Sequence, residues 1–228
     1  MGLNNEGADR ITERLSNLNL DIPLGVNIAK TNDPSIHGDA ALQDYLYSYV
    51  KAQPVADYIT VNISCPNTGE GKTFESPQAL HDLLETLEPA KEDRKPTLIK
   101  FTVDIDKLAL KKLITICENF EISGYVATNT SSVREGLNTP NLVLDSIGNG
   151  GVSGRAIQKR STQVVRWIRE IAGKEKPIIG VGGIDSPEAA LEKLEAGADL
   201  LQLYTGLVYK GPGLVRSIKK KLTNANSI

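Results

Sequence analysis

The sequence predicts an α/β fold of the (β/α)8 TIM-barrel type, N-terminally truncated, with about six of the eight strands of such a barrel present. Three observations predict it. Short apolar runs rich in β-branched residues alternate with helical patterns along all 228 residues, which is the signature of parallel strands joined by right-handed crossovers. The runs are continuously apolar, as strands buried on both faces are. A polar residue or glycine marks almost every strand end: Asn27, Asn62, Lys100, Asn129, Gly182–Gly183 and Thr205. Convergence of such groups on one rim is what the C-terminal face of a barrel produces. An open doubly wound sheet is the alternative. A closed barrel takes ~250 residues, and the two further strands would precede residue 24, where little chain remains. The expectation is one domain over residues 1–228, the C-terminal portion of a barrel.

The elements follow in order. Strands are expected at Leu24–Ile28, Tyr58–Ile63, Thr97–Phe101, Gly124–Thr128, Pro177–Val181 and Leu200–Tyr204. Pro66 stops the second by fixing φ and removing a donor. Between them lie patterns suited to helices with one buried face. His37–Lys51 carries Ala41, Leu42, Tyr45, Leu46 and Val50. Pro77–Leu87 carries Leu80, Leu83, Leu84 and Leu87. Ile105–Asn119 carries Leu108, Leu110, Leu113, Ile114 and Cys117, and Ser161–Ala172 carries Val164, Val165, Ile168 and Ile171. Pro187–Ala196 is the best-marked helix: Ser186 caps it, Pro187 suits its first turn and Gly197 its stop. Ser131–Gly154, rich in Ser, Asn, Gly and Thr, is expected to be a long irregular active-site loop.

Composition narrows the function. A net charge of -2 gives no electrostatic case for nucleic acid or an anionic membrane. Lys219-Lys220-Lys221 suits the C-terminal end of a helix. No apolar run approaches the ~20 residues of a membrane span, and no signal peptide is visible at Met1. Two cysteines, Cys65 and Cys117, make no disulfide framework and point to a reducing compartment. His37 and His81 are the only imidazoles and neither sits in a motif, which argues against a His-based metal site or a Ser-His-Asp triad.

The most informative stretch is VNISCPNT, residues 61–68. It ends a buried strand in Asn62, Ser64, Cys65, Asn67 and Thr68. Asn amides can hold a planar, amide-rich ligand through donor and acceptor together. A thiol among them can act as nucleophile or as proton-transferring base. A free Cys is commonly buried and inert, but the Asn-x-x-Cys-Pro-Asn context favours function. Lys100 sits on an otherwise apolar strand, where a lysine is rarely placed for packing. It can neutralise charge that develops beside a flavin's N1/C2 carbonyl; snorkelling past the rim is the alternative. Glycine-rich GGVSG (150–154), IIGVGGID (178–185) and LYTG (203–206) fall late in the chain. Gly182 and Gly183 would let backbone N–H groups approach a phosphate at a helix N-terminus, as loops after the last barrel strands do.

On these residues the chain resembles the dihydroorotate dehydrogenase family, FMN-dependent barrel enzymes of pyrimidine synthesis. The resemblance is carried in order by PLGVNIAK (23–30), VNISCPNT (61–68), LIKF (98–101), VATNTS (126–131), GGVSGRAI (150–157), IIGVGG (178–183) and LYTGLVYKGP (203–212). GGVSG followed by RSTQVV, and LYTGLVYKGP, resemble the membrane-associated, quinone-reducing class. The resemblance implies FMN bound by Asn27, Asn62, Lys100, Thr128, Ser153, Gly154, Gly182, Gly183, Tyr204 and Thr205. It implies dihydroorotate or orotate held by Asn4, Asn62, Asn67, Asn129 and Thr130, and Cys65 as the base that takes the C5 proton while hydride leaves C6 for the flavin. No metal is expected among the site residues. The quinone-reducing class usually has Ser where this chain has Cys65. Cys is the habit of the soluble class, which passes electrons to fumarate or NAD, so a quinone is the expected acceptor with those two as alternatives. The family's first two strands, with a Gly-rich FMN loop and a substrate lysine, and the N-terminal helices of the quinone entrance have no counterpart here. A cytoplasmic protein is expected, peripheral on the inner membrane in a full-length form. Another FMN-dependent pyrimidine-ring oxidoreductase and an inactive barrel fragment are the rival readings.

Overall fold

The computed structural model describes residues 4–64, 74–148 and 150–225. Two compact units divide the chain, residues 1–100 with 111–124 and residues 101–110 with 125–228.

In the first unit β1 (Gly25–Ile28), β2 (Tyr58–Asn62) and β3 (Thr97–Phe101) pair in that order, all parallel. The crossovers are α2 (Asp39–Ala52) and α3 (Pro77–Leu87). Ser76 caps α3, its Oγ accepting from Ala79 N at 3.3 Å, with Pro77 in the first turn. The four leucines at 80, 83, 84 and 87 are fully buried, as their spacing predicts. Each such burial stabilises the fold by ~1.5–3 kcal/mol. The buried stripe of α2 differs from the expected one: it runs Ala41, Tyr45, Tyr49, Ala52, and Val50 is exposed. The two tyrosines are buried because their hydroxyls find partners. Tyr45 Oη donates to Asn62 O at 2.7 Å, and Tyr49 Oη lies 2.7 Å from Thr97 Oγ1. α1 (Ala8–Ser16), absent from the sequence expectation, docks on α2 through Tyr47 Oη and Lys51 Nζ on the Asp9 carboxylate. α4 (Lys107–Asn119) buries Leu110, Leu113, Ile114 and Cys117, while Leu108 falls off that stripe and is exposed.

In the second unit β4 (Gly124–Ala127), β5 (Ile178–Val181) and β6 (Leu200–Gln202) are parallel and in chain order. α6 (Gln158–Ala172) and α7 (Pro187–Glu195) are the crossovers beside β5. Ser186 Oγ accepts from Ala189 N at 3.1 Å, the expected cap. α8 (Thr205–Lys210) and α9 (Gly213–Ala225) follow β6. Ile184, Ala190, Leu214 and Ile218 form a core under them, and Phe101 stacks on Tyr125 at 5.7 Å between ring centroids.

Two expectations are corrected. Residues 131–154 are not simply irregular. They hold α5 (Asn141–Ile147), and their base is pinched by an antiparallel bridge between Ser131 and Val152 with N–H···O distances of 3.0 and 2.7 Å. Arg134 donates to the carbonyls of Leu144 and Gly148, which would otherwise be orphans at the end of that helix. Burial on both faces holds for β2 to β4 but fails for β1 and β6, each of which pairs with one neighbour; Leu200 on β6 is 59% exposed.

Candidate active site

Strand register sorts the polar groups of the first unit. Asn27 pairs with Thr60, and Asn62 pairs with Lys100. Side chains alternate faces along a strand, so Asn27, Thr60, Asn62, Leu98 and Lys100 share one face. Val26, Ile28, Ile59, Val61 and Ile99 share the other, which is apolar but for Thr97, whose hydroxyl is engaged by Tyr49. A strand that is polar on one face only at its C-terminal end builds a site over a packed core. Asn62 is buried, and its Oδ1 accepts from Ser64 Oγ at 3.2 Å. The Nζ of Lys100, beside it, hydrogen-bonds to nothing among the described residues, while its carbonyl accepts from Ser64 Oγ at 3.5 Å. Burial pushes its ammonium below the ordinary lysine value, because the charged form loses hydration. An unpaired, partly desolvated cation facing an amide favours an anionic or electron-rich ligand. Asn4 lies ahead of α1, and no hydrogen bond among the described residues ties it to that face. Cys65 and Asn67 lie outside the described residues.

In the second unit, the segment after β4 is held from both sides. Thr128 N donates to Val181 O at 3.0 Å, and Asn129 N to Phe101 O at 2.8 Å. Asn129 Oδ1 accepts from Thr130 N at 2.9 Å, and Thr128 Oγ1 donates to Asn129 O at 2.9 Å. The next two residues are clamped by Asp104, which the sequence did not single out. Its carboxylate accepts from Ser131 Oγ at 2.5 Å and from Ser132 N and Oγ at 2.8 and 2.9 Å.

Three late loops of this unit meet. Ser153 and Thr205 join through their hydroxyls at 3.0 Å, and a Cβ on Gly154 would lie 3.1 Å from Thr205 Cγ2. Gly182 and Gly183 have φ of +109° and +74°, a region open to glycine. They press on the first turn of α6 so closely that a Cβ on Gly183 would lie 2.5 Å from Gln158 Cα. Neither glycine N–H has a protein acceptor among the described residues. Two hydroxyls and two unpaired N–H groups near a helix N-terminus are the donor set of a phosphate cradle, so the residues present fit a phosphate-bearing group. Tyr204, beside Thr205, is 67% exposed. Among the described residues, no helix is long and apolar enough to cross a membrane.

The family model described as dihydroorotate dehydrogenase matches residues 1–225. This chain belongs to the dihydroorotate dehydrogenase family. Among its relatives, a protein named dihydroorotate dehydrogenase (quinone) from Christiangramia forsetii is 42% identical over 226 residues, covering 97% of this chain and 64% of the relative. A protein of the same name from Thermosynechococcus vestitus is 39% identical over 230 residues, covering 99% of this chain and 63% of the relative. The chain thus spans less than two thirds of the length of these relatives. A crystal structure of ligand-free type DHODH from Eimeria tenella superposes with a TM-score of 0.84 at 25% identity, over 98% of this chain and 67% of that one. That likeness decides between the two architectures expected from the sequence: the fold is of the (β/α)8-barrel type, with six strands among the described residues. The family implies a flavin cofactor.

Proposed function

We propose that this chain oxidises dihydroorotate to orotate in pyrimidine synthesis, with FMN as the bound flavin. The observation that carries the reading is the Asn62–Lys100 pair: a buried amide and a cation with no partner among the described residues, side by side on one sheet face, at the strand ends where a barrel binds its ligands. When bound, the flavin supplies a two-electron acceptor. The chain's residues do the rest. Lys100 would offset negative charge on a reduced flavin ring, and Asn27 on β1 and Thr128, the residue after β4, would offer further polar groups to the cofactor. Ser153, Gly154, Gly182, Gly183 and Thr205 hold the phosphate, and Tyr204 flanks them. Asn62, Asn67, Asn129 and Thr130 offer the paired donors and acceptors that a dihydropyrimidine ring and carboxylate need, with Asn4 as a further donor from the N-terminal segment. Cys65 takes the C5 proton as the C6–H pair leaves as hydride, and the C5=C6 double bond forms.

The acceptor proposed for the electrons is a quinone, because relatives at 39–42% identity carry that word in their names. Purified chain should be yellow and should bleach on anaerobic addition of dihydroorotate. Re-oxidation should follow a soluble quinone and not fumarate or NAD. Cys65→Ala should slow bleaching by roughly 10²–10⁴, the range of general-base catalysis, with flavin retained. A colourless chain, or bleaching at the parent rate in Cys65→Ala, refutes the corresponding part of the reading.

A further inference from the structure

Lys193 is a lysine on α7 with no exposed surface. Its stem crosses β5 at Gly180, where a Cβ would lie 2.5 Å from Lys193 Cγ and 2.9 Å from Ala198 Cβ. A glycine inside a strand marks such a close approach. Lys193 Nζ donates to Ser161 Oγ at 2.5 Å. Ser161, also fully buried, places its Oγ 2.9 Å from Gly182 O and 3.0 Å from Gln158 O. Lys193 Nζ makes no other hydrogen bond among the described residues, and Glu192, its charged neighbour on α7, is engaged by Gln158 Nε2 at 3.0 Å.

An ammonium has three donors and costs much to bury. One serine is poor compensation, and an unbranched apolar side chain would fill the same path. The connection to Gly182 supplies a reason for the charge. Nζ occupies a lone pair of Ser161 Oγ and so directs the hydroxyl proton to carbonyl oxygens. In a planar trans peptide, C=O and the following N–H point in opposite directions. Holding Gly182 O against Ser161 therefore aims the Gly183 N–H away from α6. Bonds in such a chain polarise one another, so a cation at its origin strengthens the donor at its end.

We infer that Lys193, acting through Ser161, is a positioning residue that orients and polarises the Gly182–Gly183 peptide as the anion-binding donor of the cradle. This rests on the FMN reading of that cradle. The ammonium itself stays buried and touches no ligand.

The test compares FMN with riboflavin, which lacks the phosphate, by fluorescence titration of the parent chain, Lys193→Met and Ser161→Ala. Thermal melting by circular dichroism accompanies each. Expected for Lys193→Met is a loss of FMN affinity of tenfold or more, riboflavin affinity within twofold of the parent and a melting temperature no lower. Ser161→Ala should move the same ratio in the same direction. Equal loss of both ligands, or unchanged FMN affinity, in the folded variants overturns the inference. If Lys193→Met does not fold, Ser161→Ala decides alone, since it removes only a hydroxyl. A parent chain that binds FMN no more tightly than riboflavin overturns the FMN reading, and this role with it.

Discussion

Lys193 also makes a prediction about stability that needs no ligand. Burial pushes its ammonium down from the ordinary lysine value to about 8, with Glu192 offsetting part of the effect. In the unfolded chain it titrates near 10.4. Between those values the unfolded chain holds a proton that the folded chain has released. The unfolded state then binds more protons, so this group makes stability rise with pH across the window. Below pH 8 the folded state carries the full cost of a buried charge. The gap corresponds to about 3 kcal/mol at ~1.4 kcal/mol per pKa unit. Lys193→Met removes the titration. It also removes a hydrogen bond from a charged donor, of ~1.5–3 kcal/mol, so at pH 7 the variant should be no less stable than the parent. At pH 10.5 the parent should have gained about 3 kcal/mol relative to the variant. Urea unfolding of both proteins at the two pH values measures this. Tyr47, Tyr49 and Lys51, whose values are all raised, are common to both chains and cancel. A parent-minus-variant difference that is the same at pH 7 and pH 10.5 would refute the reasoning, because it would mean that Lys193 keeps an ordinary proton affinity inside the fold.

Two further outcomes follow from the site. Lys100→Ala should lower the reduction potential of bound flavin and weaken its binding, since the ammonium beside Asn62 has no anionic partner among the described residues; redox titration with a reference dye checks the first and fluorescence the second. Gly151→Ala should push Thr130 aside, because a Cβ there would lie 1.9 Å from Thr130 Oγ1. Orotate affinity, read from the flavin spectrum, should fall by about tenfold or more, as small misplacements in a binding site do, with FMN affinity kept.

How far the sequence revealed this protein depended on whether a residue's role left a pattern. Strands were legible because β-branched apolar runs at 58–63, 97–101 and 124–128 admit little else, and helices because Ser-Pro pairs at 76–77 and 186–187 mark starts. α1, α5 and α8 were not foreseen, and the structure gives a common reason: none of the three buries a residue. A helix without a buried face leaves no apolar stripe to read, and α5 is held instead by a side chain, Arg134, from outside the helix. The same logic governs the site. Asn62, Lys100 and the Gly182–Gly183 turn were legible because each breaks an apolar run where a strand ends.

Asp104, Ser161 and Lys193 were not, because each looks ordinary where it stands. An Asp before a helix reads as a cap, a Ser near a helix start as a turn residue, a Lys on an amphipathic helix as its solvated face. Only packing turns Lys193 inward, and packing is a property of pairs. One trace of it was present: Gly180 interrupts IIGV in the middle of β5, where a side chain would normally be favoured. A glycine there states that something must pass close to the strand without saying what. Finding that the visitor is a cation, linked through one hydroxyl to the Gly182–Gly183 peptide of the proposed anion cradle, required coordinates. Groups that touch a ligand tend to be visible in a sequence as exceptions to burial. Groups that aim them are hidden as conformity to it, and the glycines that make room for them are where a search should begin.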